Sequence, residues 1–204
     1  DATLLKAQIL IAQDKRDEAI KVLADAAAAA DGAPAAMQMR SALVPLLIAS
    51  GDVARAEGEV ATMRKAAPKD LRTSFAEAQV AIAKRDFAKA RDAAQVVLAA
   101  RPDNLPALYL SGLAQYGLGS WSLAEDALSR VVRQVPNSVE AQRVLILTYL
   151  RSGRPQQAVE TVDAALRRVP DDPLLQRLAG ESKALTGNTA AAVKHFERAA
   201  SLEK

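Results

Sequence analysis

Small apolar and turn-forming residues recur at a fixed spacing along the chain. Six turn positions mark the pattern, and they are Asp14, Gly51, Arg85, Gly119, Gly153 and Gly187. The first spacing is 37 residues and each of the other four is 34. An alanine follows five residues after each turn position, at Ala19, Ala56, Ala90, Ala124, Ala158 and Ala192. A proline follows 17 residues after four of them, at Pro68, Pro102, Pro136 and Pro170. The common spacing of these turn positions, alanines and prolines predicts six similar structural units.

Each marker has a physical role in a helical hairpin. Glycine adopts a left-handed backbone conformation at no steric cost, which suits the reversal between two antiparallel helices. The alanine allows the second helix to approach the first closely. Proline ends the second helix because it lacks an amide donor and disfavours helical conformation in the residue before it. Nearby side chains then offer helix-start hydrogen bonds, at Asp103, Asn104, Asn137, Asp171 and Asp172. Alanine and leucine, both strong helix formers, are frequent, so the chain is predicted to be all-α.

This pattern resembles the tetratricopeptide (TPR) repeat, a helix–turn–helix unit of 34 residues. Gly112 and Gly180 match its small position in the first helix, and Leu128, Val162 and Phe196 match its large position in the second. The resemblance covers about residues 2 to 204 and implies a solenoid whose hairpins stack into a right-handed superhelix. We expect one domain over 1–204, with repeats at about 1–34, 35–70, 71–104, 105–138, 139–172 and 173–204.

Three departures from the repeat carry expectations of their own. Repeat 1 contains three extra residues within Ala26–Pro34, which predicts a second helix about one turn longer or a wider loop. Pro45 lies inside the first helix of repeat 2, where an interior proline costs about 3 kcal/mol and predicts a kink. Arg85 replaces the turn glycine of repeat 3, which predicts a strained or reshaped turn.

Composition argues against several function classes. Basic residues number 27 against 24 acidic ones, and a net charge of +3 is too small for a nucleic-acid footprint. The chain has no cysteine and one histidine, His195, so we expect no metal or cofactor and a surface or inter-repeat position for this histidine. The longest apolar stretch, near Ala42–Ala49, is too short for a transmembrane segment. Carboxylates close in sequence, such as Glu57 and Glu59, face different sides of a helix, and we predict no enzymatic activity.

The resemblance implies that the first helices line a concave groove for a protein or peptide partner. The predicted partner-binding residues are Phe75, Gln79, Tyr109, Leu113, Tyr116, Arg143, Leu147, Arg151 and Arg177. Other first-helix positions on this face include Leu4, Gln8, Ile11, Gln38, Ser41 and Arg72. An apolar floor with arginines toward repeats 5 and 6 suits a peptide that carries an acidic group. The alternatives left open are that these side chains only touch one another and that the groove binds polysaccharide.

A closer resemblance concerns repeats 3 to 6. The segments from Leu105 to Gly119, Thr148 to Ala158 and His195 to Ala200 resemble the TPR lipoproteins of the bacterial PEP-CTERM/exosortase system. The resemblance implies a scaffold lipid-anchored in the cell envelope, in the periplasm, with exopolysaccharide and surface-protein export machinery among its partners. The lipid-bearing cysteine of such a protein is expected upstream of residue 1. The alternative is a cytosolic TPR adaptor or regulator that binds peptide segments.

The first predicted helix, from Leu4 to Ile11, is apolar nearly all round, as expected if neighbours cover both of its sides. A solenoid buries the faces of each unit only against adjacent units. We therefore expect the sequence to belong to a longer array and to show end-to-end self-association.

Overall fold

The computed structural model describes residues 2–30 and 32–203, which form twelve α-helices and no strand. Their bounds are α1 Ala2–Ala12, α2 Arg16–Ala29, α3 Pro34–Ala49, α4 Val53–Ala66, α5 Leu71–Ala83, α6 Phe87–Ala100, α7 Leu105–Gly117, α8 Trp121–Gln134, α9 Val139–Arg151, α10 Pro155–Leu166, α11 Pro173–Leu185 and α12 Thr189–Leu202. Each odd-numbered helix forms a hairpin with the helix that follows it. The predicted all-α fold of six hairpins is confirmed.

The reversals inside the hairpins fall at the predicted turn positions. Gly119 has a φ of 74°, and the amide of Ser120 donates to the carbonyl of Gln115 over 2.9 Å. Arg85 has a φ of 59°, and the amide of Asp86 donates to the carbonyl of Ala81 over 2.9 Å. The arginine turn therefore keeps the geometry of the glycine turns. It is strained rather than reshaped, because a side chain disfavours the left-handed region.

The three extra residues lengthen a first helix, so both expectations for repeat 1 are wrong. The second helix α2 has 14 residues, the same length as α4 and α6, and the segment between α2 and α3 is no longer than that between α4 and α5. Helix α3 instead has 16 residues against 13 in α5. Pro34 begins α3, where a proline costs no hydrogen bond. The helix also continues through Pro45 to Ala49.

Side chains at the loop ends satisfy backbone donors of the first helices. The carbonyl oxygen of the Asn104 side chain accepts from the amide of Ala107 over 2.9 Å, and Asp172 accepts from Leu175 over 2.8 Å. These two predicted helix-start residues are confirmed. In the loop that contains Asn137, the neighbouring Ser138 makes this bond instead.

The small and large positions of the repeat face each other across the fourth and sixth hairpins. A β-carbon added to Gly112 would lie 2.6 Å from Cγ of Leu128, and one added to Gly180 would lie 2.6 Å from the ring of Phe196. The alanines five residues after the turns are 0–2% exposed, in all six hairpins. Close helix approach therefore explains why alanine and glycine occupy these positions.

The chain divides into two compact units, one ending at Leu110 and the other beginning at Ser111 within α7. The core of the first unit contains Leu43, Leu47 and Met63, and that of the second contains Ile146 and Val162. Among the residues described, no helix has the length and apolar character needed to cross a membrane.

Candidate partner-binding surface

In the first unit, first helices share a surface with a recess of about 310 Å³. Helices α1, α3 and α5 contribute to its lining, with residues that include Leu4, Gln8, Ile11, Gln38, Ser41 and Arg72. All six are positions that the repeat places on the groove face. Within this unit, the first helices therefore form the shared surface expected of them.

A second recess of about 210 Å³ adjoins the first, because Ser41 and Arg72 line both. Its apolar lining consists of Leu71, Phe75, Val97 and Pro106. Arg101 and Asn104 complete it, and neither was among the predicted partner-binding residues. Both belong to the segment between α6 and α7, whereas the predicted partner-binding residues all belong to first helices.

The two arginines of the second recess differ in their electrostatic environment. The Nη2 atom of Arg72 donates to Oδ2 of Asp70 over 2.6 Å, and its Nε donates to Oδ1 over 3.1 Å. The Arg72 side chain holds the pKa of the Asp70 carboxyl below its usual range, chiefly through these hydrogen bonds. Arg101 is exposed and makes no ion pair with the residues that the structure describes. Its guanidinium group is therefore available to an anion.

The nine predicted partner-binding residues divide between the two units. The first unit contains Phe75, Gln79 and Tyr109, all half-buried. The second contains Leu113, Tyr116, Arg143, Leu147, Arg151 and Arg177. Of these, Arg151 and Arg177 are exposed and the others are half-buried. That all nine belong to one groove stays a prediction.

Two of these residues have clear partners inside their own unit. Arg143 forms an ion pair with Asp172, which also caps the start of α11, and the buried Nε atom of Arg143 has no hydrogen-bond partner among the described residues. The ring of Tyr116 lies 5.4 Å from that of Trp121, at the beginning of α8. Arg143 therefore connects α9 to α11, and Tyr116 packs within its own hairpin.

Sequence reasoning missed a polar cluster in the second unit. The Arg154 guanidinium group lies 5.1 Å from the centre of the Tyr149 ring and donates to Glu125 over 2.5 Å. Burial raises the pKa of the Tyr149 hydroxyl. Glu125 and Arg154 belong to successive hairpins, so this cluster holds the hairpins together. No motif marks it.

His195 lies within the last hairpin, half-buried against α11. Its Nδ1 is 2.7 Å from Oε1 of Gln176, whose amide donates to the carbonyl of Pro170 over 2.6 Å. Burial lowers the pKa of His195, and the positive charge of Lys183 lowers it further. The described part of the chain contains no group of three metal-ligating side chains. The side chain of His195 therefore connects α12 to α11 within the last hairpin.

Six antiparallel hairpins with left-handed turns, small first-helix positions and buried second-helix alanines define a helical-repeat protein. Two models of the tetratricopeptide repeat match the sequence, over residues 75–139 and 118–181. The chain belongs to the tetratricopeptide-repeat proteins. Proteins with these repeats are typically non-catalytic, and the repeats imply a protein–protein interaction scaffold.

Solved structures show the same fold at low sequence identity. MamA from Desulfovibrio magneticus RS-1, from its residue 41 to its end, is 18% identical with a TM-score of 0.72, over 82% of this chain and 94% of that one. Another MamA structure is 21% identical with a TM-score of 0.68, over 77% and 92%. A tetratricopeptide repeat protein from Parabacteroides merdae is 17% identical with a TM-score of 0.70, over 97% and 77%. No curated protein matches the sequence.

Proposed function

We propose that this chain is a non-enzymatic scaffold that binds a peptide segment of a partner protein on its first-helix surface. The observation that supports this most is the pair of adjoining recesses in the first unit, about 310 and 210 Å³ in volume. Recesses of this kind accept apolar side chains of a bound segment, and the arginines beside them offer polar contacts.

The competing interpretation is that first-helix side chains touch only one another. Arg143 and Tyr116 agree with it, because each has a partner within its own unit. Phe75 and Arg101 favour the binding role, because both line a recess that the described side chains of the first unit leave open. The first unit is therefore the better place to test for peptide binding.

Selection from a phage-displayed random peptide library tests the proposal. We expect the wild-type chain to enrich peptides and a Phe75→Ala variant to lose them, since this change removes the aromatic wall of the smaller recess. Val96→Ala is the matched control, because Val96 is an exposed apolar residue on the second helix of the same hairpin. Absence of any enriched peptide, or equal enrichment by Phe75→Ala, would count against binding at this surface.

For the cellular role, we propose a scaffold of a bacterial envelope system for exopolysaccharide export and surface-protein sorting, of the PEP-CTERM/exosortase kind. The support is the sequence resemblance of the segments from Leu105 to Gly119 and from His195 to Ala200. Fractionation of native cells tests it. A protein recovered with the envelope is the expected result, whereas recovery in the cytosol would favour a cytosolic TPR adaptor.

End-to-end association with a second copy of the chain is a further part of the proposal. Ile9 of α1 is 50% exposed, whereas Val80, at the same place in the repeat, is 5% exposed. Phe196 of α12 is 42% exposed, whereas the equivalent Leu128 and Val162 are fully buried. The proposed contact joins these two apolar faces, with the last hairpin of one copy packed against the first hairpin of the next.

Mixing variants distinguishes this contact from nonspecific association. We expect Ile9→Lys and Phe196→Glu each to be monomeric by light scattering, because each blocks one of the two faces. An equimolar mixture restores one intact contact and gives dimers. A wild-type chain that stays monomeric at high concentration, or a mixture that forms no dimer, would rule out the head-to-tail arrangement.

A further inference from the structure

The smaller recess of the first unit has an uncompensated positive charge beside an apolar wall. Its lining contains Phe75, Val97 and Pro106 together with the two arginines Arg72 and Arg101, and no carboxylate of the described residues lines it. Asp70, which neutralises Arg72, is outside this lining. The recess therefore presents one guanidinium group, that of Arg101, which forms no ion pair with the residues that the structure describes.

Arg101 lies at the end of α6 and is positioned by the backbone around it. Its amide donates to the carbonyl of Val97 over 2.9 Å, and its own carbonyl accepts from the amide of Asn104 over 3.1 Å. The chain between α6 and α7 is thus held as a turn that keeps Arg101 and Asn104 close together. A guanidinium group presents donors in a fork that matches the two oxygens of a carboxylate.

Asn104 adds a second donor at the same place. Its side-chain oxygen accepts from the amide of Ala107 over 2.9 Å, which fixes the orientation of the amide group. The nitrogen of that amide is therefore left with its two donors. Arg101 and Asn104 together offer N–H hydrogen-bond donors. Phe75 and Pro106 line the same recess.

Resting on the proposed peptide-binding function, we infer that this recess selects a peptide with an aspartate or glutamate beside a large apolar residue. The side-chain carboxylate binds Arg101 and the amide of Asn104, and the apolar side chain packs against Phe75. The sequence placed the cationic part of the surface at repeats 5 and 6. Arg143 is paired there with Asp172, whereas Arg101 forms no ion pair with the described residues.

A phage-displayed random peptide library is again the probe, now used in parallel selections. Displayed peptides are joined to the coat protein through their C-termini, so any enriched carboxylate is a side chain. We expect wild-type protein to enrich acidic residues next to leucine, phenylalanine or tryptophan. Arg101→Glu is expected to lose these peptides and to enrich basic ones instead. Lys65→Glu, a charge reversal at an exposed residue of α4, is expected to select as wild type does.

Solution affinity of one enriched peptide gives the quantitative test. Arg101→Gln removes the charge without reversing it, and we expect it to weaken binding about tenfold or more, the usual effect of losing a charge-assisted hydrogen bond. Far-UV circular dichroism of both Arg101 variants verifies that they fold.

The possible failures are distinguishable. If the wild type enriches no peptide, the proposed binding function itself fails. If it enriches peptides that lack an acidic residue, or if Arg101→Glu and Arg101→Gln retain the acidic ones, peptide binding stands and the role of Arg101 is refuted.

Discussion

Glycine-to-alanine substitutions at two helical positions are expected to change stability in opposite directions. Gly58 and Gly112 both lie inside helices. Alanine at either position loses less backbone conformational entropy on folding, which by itself raises the free energy of unfolding by about 0.5–1 kcal/mol. A β-carbon at Gly58 meets nothing within 4 Å, whereas one at Gly112 would lie 2.6 Å and 2.8 Å from Cγ and Cδ2 of Leu128. Leu128 is fully buried, so its side chain cannot turn out into solvent.

The magnitudes decide the sign at each site. Overpacking of a buried side chain costs about 1–3 kcal/mol. At Gly112 this exceeds the backbone gain, so we expect Gly112→Ala to lower the free energy of unfolding by about 1–2 kcal/mol. Gly58→Ala is expected to raise it by about 0.5–1 kcal/mol. Gly180→Ala is expected to fall between them, because the facing ring of Phe196 is 42% exposed and can turn aside.

Urea unfolding followed by far-UV circular dichroism and by tryptophan fluorescence measures these changes. Trp121 is the only tryptophan, and it belongs to the hairpin of α7 and α8 that contains Gly112. Its fluorescence therefore reports the hairpin that the substitution strains. If Gly112→Ala unfolds at the same urea concentration as the wild type or a higher one, the close approach of α7 to Leu128 does not require glycine at this position.

Three other predictions follow from single contacts. Arg143→Leu leaves Asp172 without its cation and is expected to lower the free energy of unfolding by about 1–3 kcal/mol. Arg177→Leu, at an exposed arginine of the same unit, is expected to change it little, and urea unfolding of the two variants makes the comparison. Arg85→Gly relieves a left-handed arginine and is expected to stabilise by about 0.5–1 kcal/mol, measured in the same way, and a destabilised variant would contradict this. Because the pKa of His195 is lowered in the folded chain, the unfolded chain binds more protons below the ordinary histidine pKa of about 6.5, and stability falls as the pH decreases through that value. His195→Gln is expected to show a smaller fall in urea titrations at successive pH values, and an unchanged fall would contradict this.

The parts of the fold that the sequence predicted are those governed by local sterics. Some features restrict the residue type at a single position: a left-handed turn, a close helix crossing and the end of a helix. Glycine, alanine and proline at those positions therefore reveal these features in the sequence. The same reasoning failed for the three extra residues near Pro34. Their number shifts the register, but it does not determine which helix becomes longer, and Pro34 as a helix start favoured α3.

The contacts that the sequence did not predict join side chains far apart in the chain. Arg143 pairs with Asp172 and Arg154 with Glu125, and each pair is 29 residues apart. Many residue types at these positions satisfy the repeat, so nothing in its pattern specifies the pair. The binding role of Arg143 was predicted from its helix face alone, and the sequence does not show that Asp172 faces it.

The difference between positions that the repeat restricts and positions that it does not also explains why membership of the family fails to identify the partner. The residues that identify a tetratricopeptide repeat either form its turns or lie buried between its two helices, as Ala124 and Leu128 do, where no partner reaches them. Specificity must come from exposed positions that the repeat leaves variable. Among those, a charge already balanced inside the protein contributes packing, whereas an unbalanced one attracts a ligand, because binding then adds an ion pair without breaking another. By this criterion Arg101 is a better indicator of the partner than Arg143, although only Arg143 occupies a first-helix position.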